Sequence, residues 1–274
     1  MSDSVPSSRP VSPSSSAVSP ILLALDTATE HLHIALVAGA ADGAVRTRAL
    51  PGGAQASAGL LPALQALLDD AGLRWADVDA IAFGSGPGAF TGLRTACSVT
   101  QGLALGLDCP VLVLDTLMAV AEDARQRAPQ ACPAGQTVWV LQDARMDELY
   151  AAAFTWDGQR WQATDGPALW PLDEPLRRWA ASAEASQACV RLCGNALVQC
   201  ASALAGLPAS LCLPDGGQAV PSGAALAALA RQAWAEGCAV DAALALPRYV
   251  RDKVAQTTAE RTAGRAAAAA LPAA

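Results

Sequence analysis

Two stretches of this chain, 117 residues apart, repeat one local pattern: a buried strand, an aspartate, a short turn and a second strand. The two copies are residues 21–25, Asp26 and residues 32–37, and then residues 138–141, Asp143 and residues 149–155. Short apolar runs bounded by turn residues are typical of strands buried in a sheet. The recurrence indicates a duplicated lobe, which restricts the chain to folds built from two related halves.

Strands and helices alternate along residues 21–256, which favours an α/β class. Leucines between positions 60 and 68 recur at helical spacing. Residues 78–83 form a predicted strand that enters a glycine-rich loop, and a predicted helix follows over residues 93–106. The actin-like ATPase folds share the plan of two related lobes with nucleotide held between them. We therefore expect an α/β chain with the actin-like ATPase (ASKHA, RNase H-like) fold.

The composition changes at both ends of the chain. Residues 1–20 are rich in Ser and Pro, and residues 257–274 are rich in Ala, so we expect a disordered N-terminal tail and a flexible C-terminal tail. Between them we expect an N-terminal lobe over residues 21–122 and a C-terminal lobe over residues 123–256. A last helix near residues 222–236 could pack on either lobe.

Charge and hydropathy exclude several classes of function. Lys and Arg number 18 against 25 Asp and Glu, a net charge of −7, which makes the chain a poor partner for nucleic acid. If RNA is the substrate, another chain is expected to supply the positive groove. No apolar run reaches the roughly 18 residues of a membrane-spanning helix, and we find no signal peptide. We expect a cytoplasmic protein without membrane association.

The eight cysteines form no CxxC motif, and only Cys189 and Cys193 lie close together in sequence. Zinc sites usually carry two such pairs, so reduced thiols in the core are the simpler interpretation. The two histidines, His31 and His33, share one face of a strand and are expected at exposed or edge positions. Neither an HExxH motif nor support for a Ser-His-Asp triad is present, which disfavours a protease.

The turn after the first strand carries Asp26, Thr27 and Thr29. A carboxylate with hydroxyls at a strand end could hold a hydrated metal ion and phosphate oxygens. The alternative is an Asx-turn, in which the same groups only satisfy nearby backbone N–H groups. The turn alone leaves both interpretations open.

A glycine-rich loop precedes the second helix, with glycines at positions 84, 86, 88 and 92. Glycines let the backbone approach a ligand or another segment closely. The loop is not a Walker A motif, because no Lys-Ser/Thr follows its last glycine, and its spacing differs from the dinucleotide fingerprint. Close packing of the helix on the sheet is the alternative to ligand binding.

Six segments resemble the bacterial TsaB (YeaZ) family: ILLALDTATEHLHIALV, IAFGSGPGAFTGLR, TACSVTQGLALG, PVLVLDTLMAVA, VLQDARMDELYAAAF and LPRYVRDKVA. The resemblance extends over about residues 21–256. It implies the two-lobed actin-like fold and a role in threonylcarbamoylation of tRNA at the adenosine beside the anticodon. The catalytic paralogue TsaD carries an HxxxH metal pair, and the matching positions here are Thr116 and Val120. Neither side chain binds metal as imidazole does.

The resemblance therefore implies a non-catalytic scaffold subunit that binds and activates TsaD, with no catalytic residue and no metal site of its own. The chain would require no cofactor, ATP would be used by the complex, and weak nucleotide binding is left open. A vestigial nucleotide cleft would involve six residues: Asp26, Thr27, Gly84, Gly86, Gly88 and Asp143.

The partners implied are TsaD and the ATPase TsaE, with tRNA contacted only through the complex. The contact would use helices near residues 57–71 and 91–106, and a homodimer through the same face is expected when TsaD is absent. The interface candidates are Leu60, Leu61, Leu64, Leu68, Arg94 and Gly102. The alternative is that all four leucines face the sheet.

Two features depart from the family pattern: Ala56 stands where many relatives have His, and the Ser/Pro-rich extension lies outside the family core. A competing function is a small-molecule kinase or ATPase that uses Asp26 and Asp143 around Mg-ATP. A glycoprotease, the third function considered, is disfavoured by the scarcity of histidine.

Overall fold

The computed structural model describes residues 19–39, 43–53, 56–180 and 190–251. The predicted tail at residues 1–20, apart from its last two positions, and the tail at residues 257–274 lie outside the described residues. Cys189 and the side chain of Ala56 also lie outside them. No described helix is long and apolar enough to cross a bilayer.

The first sheet has six strands in the order β10-β5-β4-β1-β2-β3. Its strands are β1 (Ile21–Asp26), β2 (His31–Ala38), β3 (Ala44–Pro51), β4 (Ala80–Gly84), β5 (Val111–Leu114) and β10 (Ala239–Val240). Strand β1 pairs antiparallel with β2 and parallel with β4, so the aspartate that ends β1 lies beside the end of β4. The second sheet has four strands in the order β8-β7-β6-β9. Its strands are β6 (Gln136–Arg145), β7 (Glu148–Trp156), β8 (Trp161–Pro171) and β9 (Val190–Cys193).

The two sheets share one topology. In the second sheet β6 pairs antiparallel with β7 and parallel with β9, as β1 does with β2 and β4 in the first. The order β9-β6-β7-β8 therefore repeats β4-β1-β2-β3, and Asp26 and Asp143 occupy matching places near the ends of β1 and β6. The predicted α/β fold of two related lobes is confirmed.

The described residues form six α-helices around the sheets: α1 (Ala56–Ala71), α2 (Phe90–Leu107), α3 (Thr116–Arg127), α4 (Glu174–Trp179), α5 (Ala196–Gln199) and α6 (Gly223–Ala235). Helices α1 and α2 cover one face of the first sheet with a core rich in leucine. Helices α3 and α6 share one apolar cluster with strands of both sheets, so this cluster forms the core between the lobes. A third cluster lies on the opposite face of the second sheet.

Helix α6 and strand β10 follow the second lobe in the chain but pack on the first sheet. Helix α6 contacts β1, β2, β3 and β5, and β10 pairs antiparallel with β5. Ser222 caps the helix by accepting a hydrogen bond from the Ala225 N–H, which fixes where the chain turns back. The chain thus completes its first sheet only near its C-terminal end.

Candidate functional site

A cleft of about 610 Å³ opens between the two lobes. The first lobe contributes residues 28–30, 87–90 and Thr116, and the second contributes residues 142–146, Tyr150 and Asn195. Residues 248–251 line it as well. Ligands of open α/β sheets bind outside the carboxyl ends of the strands, which is where this cleft lies.

Asp26 lies beneath the cleft and not on its surface. Its side chain is fully buried; Oδ1 accepts a hydrogen bond from the Ala28 N–H at 2.7 Å, and Oδ2 accepts one from the Thr116 hydroxyl at 2.7 Å. Burial raises the pKa of Asp26 to about 6, although the hydrogen bonds from Thr116 and Ala28 oppose the shift. The bond to Ala28 is the contact expected of an Asx-turn. Together with the bond from Thr116, it gives both carboxylate oxygens a partner within the protein.

The glycine-rich loop lies directly on the turn that follows β1. A β-carbon on Gly84 would come within 1.7 Å of Asp26 Oδ2, and one on Gly88 within 2.6 Å of Ala28. A β-carbon on Gly92 would come within 1.8 Å of the Thr27 carbonyl oxygen. These three glycines therefore let the loop pack closely on the turn that follows β1. Close packing was one of the two interpretations of the loop, and ligand binding was the other.

Threonine hydroxyls connect this turn to its neighbours. Thr27 is buried and donates from Oγ1 to the Gly92 carbonyl at 2.6 Å. Thr116 Oγ1 accepts a hydrogen bond from the Gly86 N–H at 3.1 Å while it donates to Asp26. Gly86 has φ +110°, a conformation that L side chains rarely adopt. Five of the six residues predicted for a nucleotide cleft thus form one hydrogen-bonded and closely packed unit: Asp26, Thr27, Gly84, Gly86 and Gly88.

Asp143, the sixth candidate, lies on the opposite wall of the cleft. Its backbone N–H donates to Asn195 Oδ1 at 2.8 Å, and its carboxylate accepts from the Arg145 N–H at 2.8 Å. The Arg145 guanidinium lies 3.1 Å from the same carboxylate. The structure therefore separates Asp143 from the unit around Asp26 and pairs it with a cation of its own turn.

The interface candidates on α1 fall on two different faces. Leu60, Leu64 and Leu68 are fully buried against the first sheet, so in this structure they belong to the core and are not available to a partner. Their spacing of four residues follows the face that packs on the sheet. Leu61 lies on the outer side and is 45% exposed.

The interface candidates on α2 lie in the open. Arg94 is exposed, and its guanidinium stacks over Phe90 and donates a hydrogen bond to the Tyr249 hydroxyl. A β-carbon on Gly102 would meet nothing within 4 Å. Leu105, which the sequence did not single out, is 70% exposed on the same helix.

Only one of the two histidines lies at the exposed position that the sequence predicts for both. His31 is exposed, but His33 is only 7% exposed, because it lies on the face of β2 that carries Ala35 and Val37 and that α6 covers. Desolvation lowers the pKa of His33, and the charge of Asp123 opposes that shift. Within the described ranges, no group of three or more His, Cys, Asp or Glu side chains is placed to hold a metal ion.

Sequence reasoning missed three residues that shape the site. Thr116 was considered only as the counterpart of a metal ligand, yet its hydroxyl bridges Asp26 and Gly86. Arg248 and Arg251 line the cleft and pair with Asp115 and Glu148. The segment LPRYVRDKVA was noted as part of the resemblance, and its two arginines were the available signal.

Two lobes of one topology, with an aspartate at or near the end of the first strand of each and a cleft between them, define a two-lobed α/β protein. The family model described as TsaD, tRNA N6-adenosine threonylcarbamoyltransferase, matches residues 53–205. The tRNA threonylcarbamoyladenosine biosynthesis protein TsaB of Escherichia coli is 31% identical over 245 residues, which is 85% of this chain and 96% of that protein. The chain belongs to the TsaB (YeaZ) family.

Solved structures agree with this assignment. YeaZ from Pseudomonas aeruginosa is 34% identical and has a TM-score of 0.69, with 84% of this chain and 100% of that chain covered. A second structure, titled an uncharacterized protein from Pseudomonas aeruginosa with similarity to peptidase YEAZ, has a TM-score of 0.70 at 33% identity and covers 85% of this chain and 100% of its own.

Proposed function

We propose that this chain is the non-catalytic partner subunit of the tRNA N6-threonylcarbamoyladenosine synthesis complex, which binds and activates the TsaD transferase. Membership of the TsaB family supports the pathway, because relatives in that family are named as tRNA threonylcarbamoyladenosine biosynthesis proteins. The observation that carries the partner role is the open face of α1 and α2 around Leu61, Gly102 and Leu105.

That face has the features of a helix-docking surface. Along α2 the exposed residues Arg94, Ser98, Gly102 and Leu105 recur every three or four positions, so they form one stripe. The open space above Gly102 would let a partner helix approach closely, and the exposed side chain of Leu105 would supply apolar contact. Leu61 adds an exposed apolar side chain on α1, which packs on the same face of the first sheet as α2.

The absence of a catalytic role in this chain is supported by how its candidate groups are used. Both carboxylate oxygens of Asp26 have hydrogen-bond partners within the protein. Thr116 and Val120, which match the metal pair of the catalytic paralogue, are both buried. The Thr116 hydroxyl is hydrogen-bonded to Asp26 at the floor of the cleft, and Val120 belongs to the core between the lobes. The chain would therefore act through binding, and ATP would be consumed elsewhere in the complex.

The remaining partners follow from the same proposal. TsaE would join the assembly of the two related subunits, and two copies of this chain would pair through the α1 and α2 face when TsaD is absent. The net charge of −7 supports contact with tRNA through the complex and not through this chain.

Co-elution with TsaD from the same cell tests the proposal. The two purified proteins are mixed, and the mass of the complex is measured by light scattering during size exclusion. We expect a one-to-one complex, weakened about tenfold or more by Leu61→Asp. Val198→Asp is the matched control, since Val198 is equally exposed but lies on α5 of the second lobe. Failure to associate, with or without TsaE and ATP, would exclude the partner role.

The cleft between the lobes supports the competing function, a small-molecule kinase or ATPase. It requires ATP turnover by the isolated chain and a loss of that turnover in Asp26→Asn. The protein contacts that occupy the Asp26 carboxylate make us expect no turnover above background, which a coupled phosphate-release measurement would determine.

A further inference from the structure

The last described residues, 246–251, form a strap across the mouth of the cleft. The strap contains neither helix nor strand, and it continues from Ala245, which is fully buried beside α2. Its first contacts are with the first lobe: the Arg248 N–H donates to the Ser85 carbonyl at 2.7 Å, and the Arg248 guanidinium pairs with Asp115 at 3.1 Å.

The far end of the strap contacts the second lobe. The Arg251 guanidinium pairs with Glu148 at 2.5 Å and donates to the Arg145 carbonyl at 3.2 Å. Arg145 in turn pairs with Glu30 of the first lobe at 3.1 Å. The two lobes are therefore joined across the cleft by side-chain contacts of arginines.

The hairpin turn under Arg251 has an unfavourable backbone. Arg145, Met146 and Asp147 are consecutive non-glycine residues with φ between +57° and +62°. Such residues are disfavoured unless surrounding contacts hold them in place, and these contacts include the strap. Arg251 Nε is also buried without an acceptor among the described residues, although hydrogen bonds to its other nitrogens fix the guanidinium. Release of the strap would expose the Arg251 Nε to water.

The strap buries little apolar surface. Leu246 is 64% exposed, and Tyr249 rests its ring on Phe90 while remaining partly open to solvent. Segments with few buried apolar contacts open at lower free energy than the core that they cover. Opening of the strap therefore requires the loss of its arginine contacts but not the unfolding of either lobe.

We propose that residues 246–251 are a clasp that bridges the lobes and covers the cleft, and that it opens as a unit when its ionic contacts to Glu148 and Asp115 break. The clasp acts whether or not the chain binds TsaD. Closed, it keeps Arg248 and Arg251 as one wall of the cleft. Open, it uncovers the cleft walls formed by Ala144 and Tyr150.

Hydrogen exchange of the full chain, read by mass spectrometry on peptides covering the clasp, tests the proposal. Glu148→Gln removes the charge and keeps an acceptor of the same size. We expect exchange of the Arg248 amide, which donates to the Ser85 carbonyl, to accelerate roughly fivefold or more in this variant, with β1 and β6 unchanged. In the unmodified chain, raising NaCl from about 50 mM to about 500 mM should accelerate the same amide by screening the pairs.

Asp173→Asn is the matched control, because it removes an exposed ion pair with Arg177 in the second lobe away from the clasp. A second readout uses Ala144→Cys, at a buried position that lines the cleft, and follows alkylation of the peptide that contains it by mass spectrometry. Alkylation should be faster with Glu148→Gln, while fully buried Cys193 stays unmodified. Unchanged clasp exchange in Glu148→Gln would overturn the proposal. Equal acceleration in β1 and β6 would also overturn it, since the clasp would then open only with the whole protein.

Discussion

Gly84 and the Asp26 carboxylate occupy adjoining space: a β-carbon on Gly84 would lie 1.7 Å from Asp26 Oδ2 and 2.8 Å from Thr116 Oγ1. The same carboxylate is held by hydrogen bonds from the Ala28 N–H and the Thr116 hydroxyl, so a movement that relieved this contact would disturb them. The glycine at the end of β4 and the aspartate at the end of β1 are therefore required together.

Gly84→Ala should lower the free energy of unfolding by about 3 kcal/mol, because overpacking of a rigid buried site displaces the backbone or the carboxylate. Gly102→Ala is the control, since a β-carbon there meets nothing within 4 Å and alanine is the better helix former by about 1 kcal/mol. Urea denaturation of both variants measures the difference. Equal stability of the two would show that the contact at Gly84 is relieved at little cost.

Thr116→Val should destabilise the protein by about 2 kcal/mol, because it removes a donor to buried Asp26 and an acceptor for the Gly86 N–H. Thr100→Val is the matched control. Thr100 is fully buried in α2, and its hydroxyl has no hydrogen-bond partner among the described residues. We expect that variant to unfold at the same or a higher urea concentration than the parent, and a loss comparable to that of Thr116→Val would contradict the assigned network.

The pH dependence of stability should carry the signature of Asp26. Its pKa is about 6 in the folded protein against 3.8 for the free side chain, so the folded state holds the proton more tightly. The contribution of the protonated Asp26 to the free energy of unfolding is therefore complete below pH 3.8, and it is lost as the pH rises through 6. A shift of that size corresponds to about 3 kcal/mol.

Asp26→Asn isolates this contribution because asparagine does not titrate. The unfolding free energy of the parent minus that of the variant should fall as the pH is raised from about 4 to about 7. Chemical denaturation at several pH values across this window provides the measurement. A difference that stays constant with pH would mean that Asp26 titrates normally in the folded chain.

Leu64→Ala should destabilise the chain by about 2–5 kcal/mol, whereas Leu61→Ala should change stability by less than about 0.5 kcal/mol. The first side chain is fully buried in the core under α1, and the second is 45% exposed. Thermal unfolding in the presence of denaturant separates the two. Similar losses in both variants would place Leu61 in the core as well.

The sequence anticipated the architecture because local patterns encode it. The repeated strand, aspartate and turn around Asp26 and Asp143 correspond to one sheet topology built twice. The glycine-rich loop was recognised, but its contacts were not, because Gly84 meets Asp26 and Thr116 only after segments 58 and 90 residues from Asp26 converge. The burial, hydrogen bonds and pKa of the Asp26 carboxylate therefore depend on tertiary contacts and cannot be predicted from the local sequence.

Burial at two sequence-predicted positions also depended on neighbours that the sequence does not reveal. Leu61 shares an apolar run with the core leucines, and only the direction in which α1 faces the sheet separates them. His33 lies on the face of β2 that carries Ala35 and Val37, and α6, which follows the second lobe in the chain, covers that face. The periodicity of apolar residues identifies one face of a helix or strand, but it does not show which other element packs on that face.

The return of α6 and β10 to the first sheet has a consequence for synthesis on the ribosome. The face of the first sheet that α6 covers includes Leu22, Ala24, Ala35 and Val37. That face is translated long before Gly223–Ala235, so it stays uncovered while the whole second lobe emerges. Nascent chains arrested before residue 223 should therefore bind chaperones that capture apolar surface, whereas chains released beyond residue 251 should not.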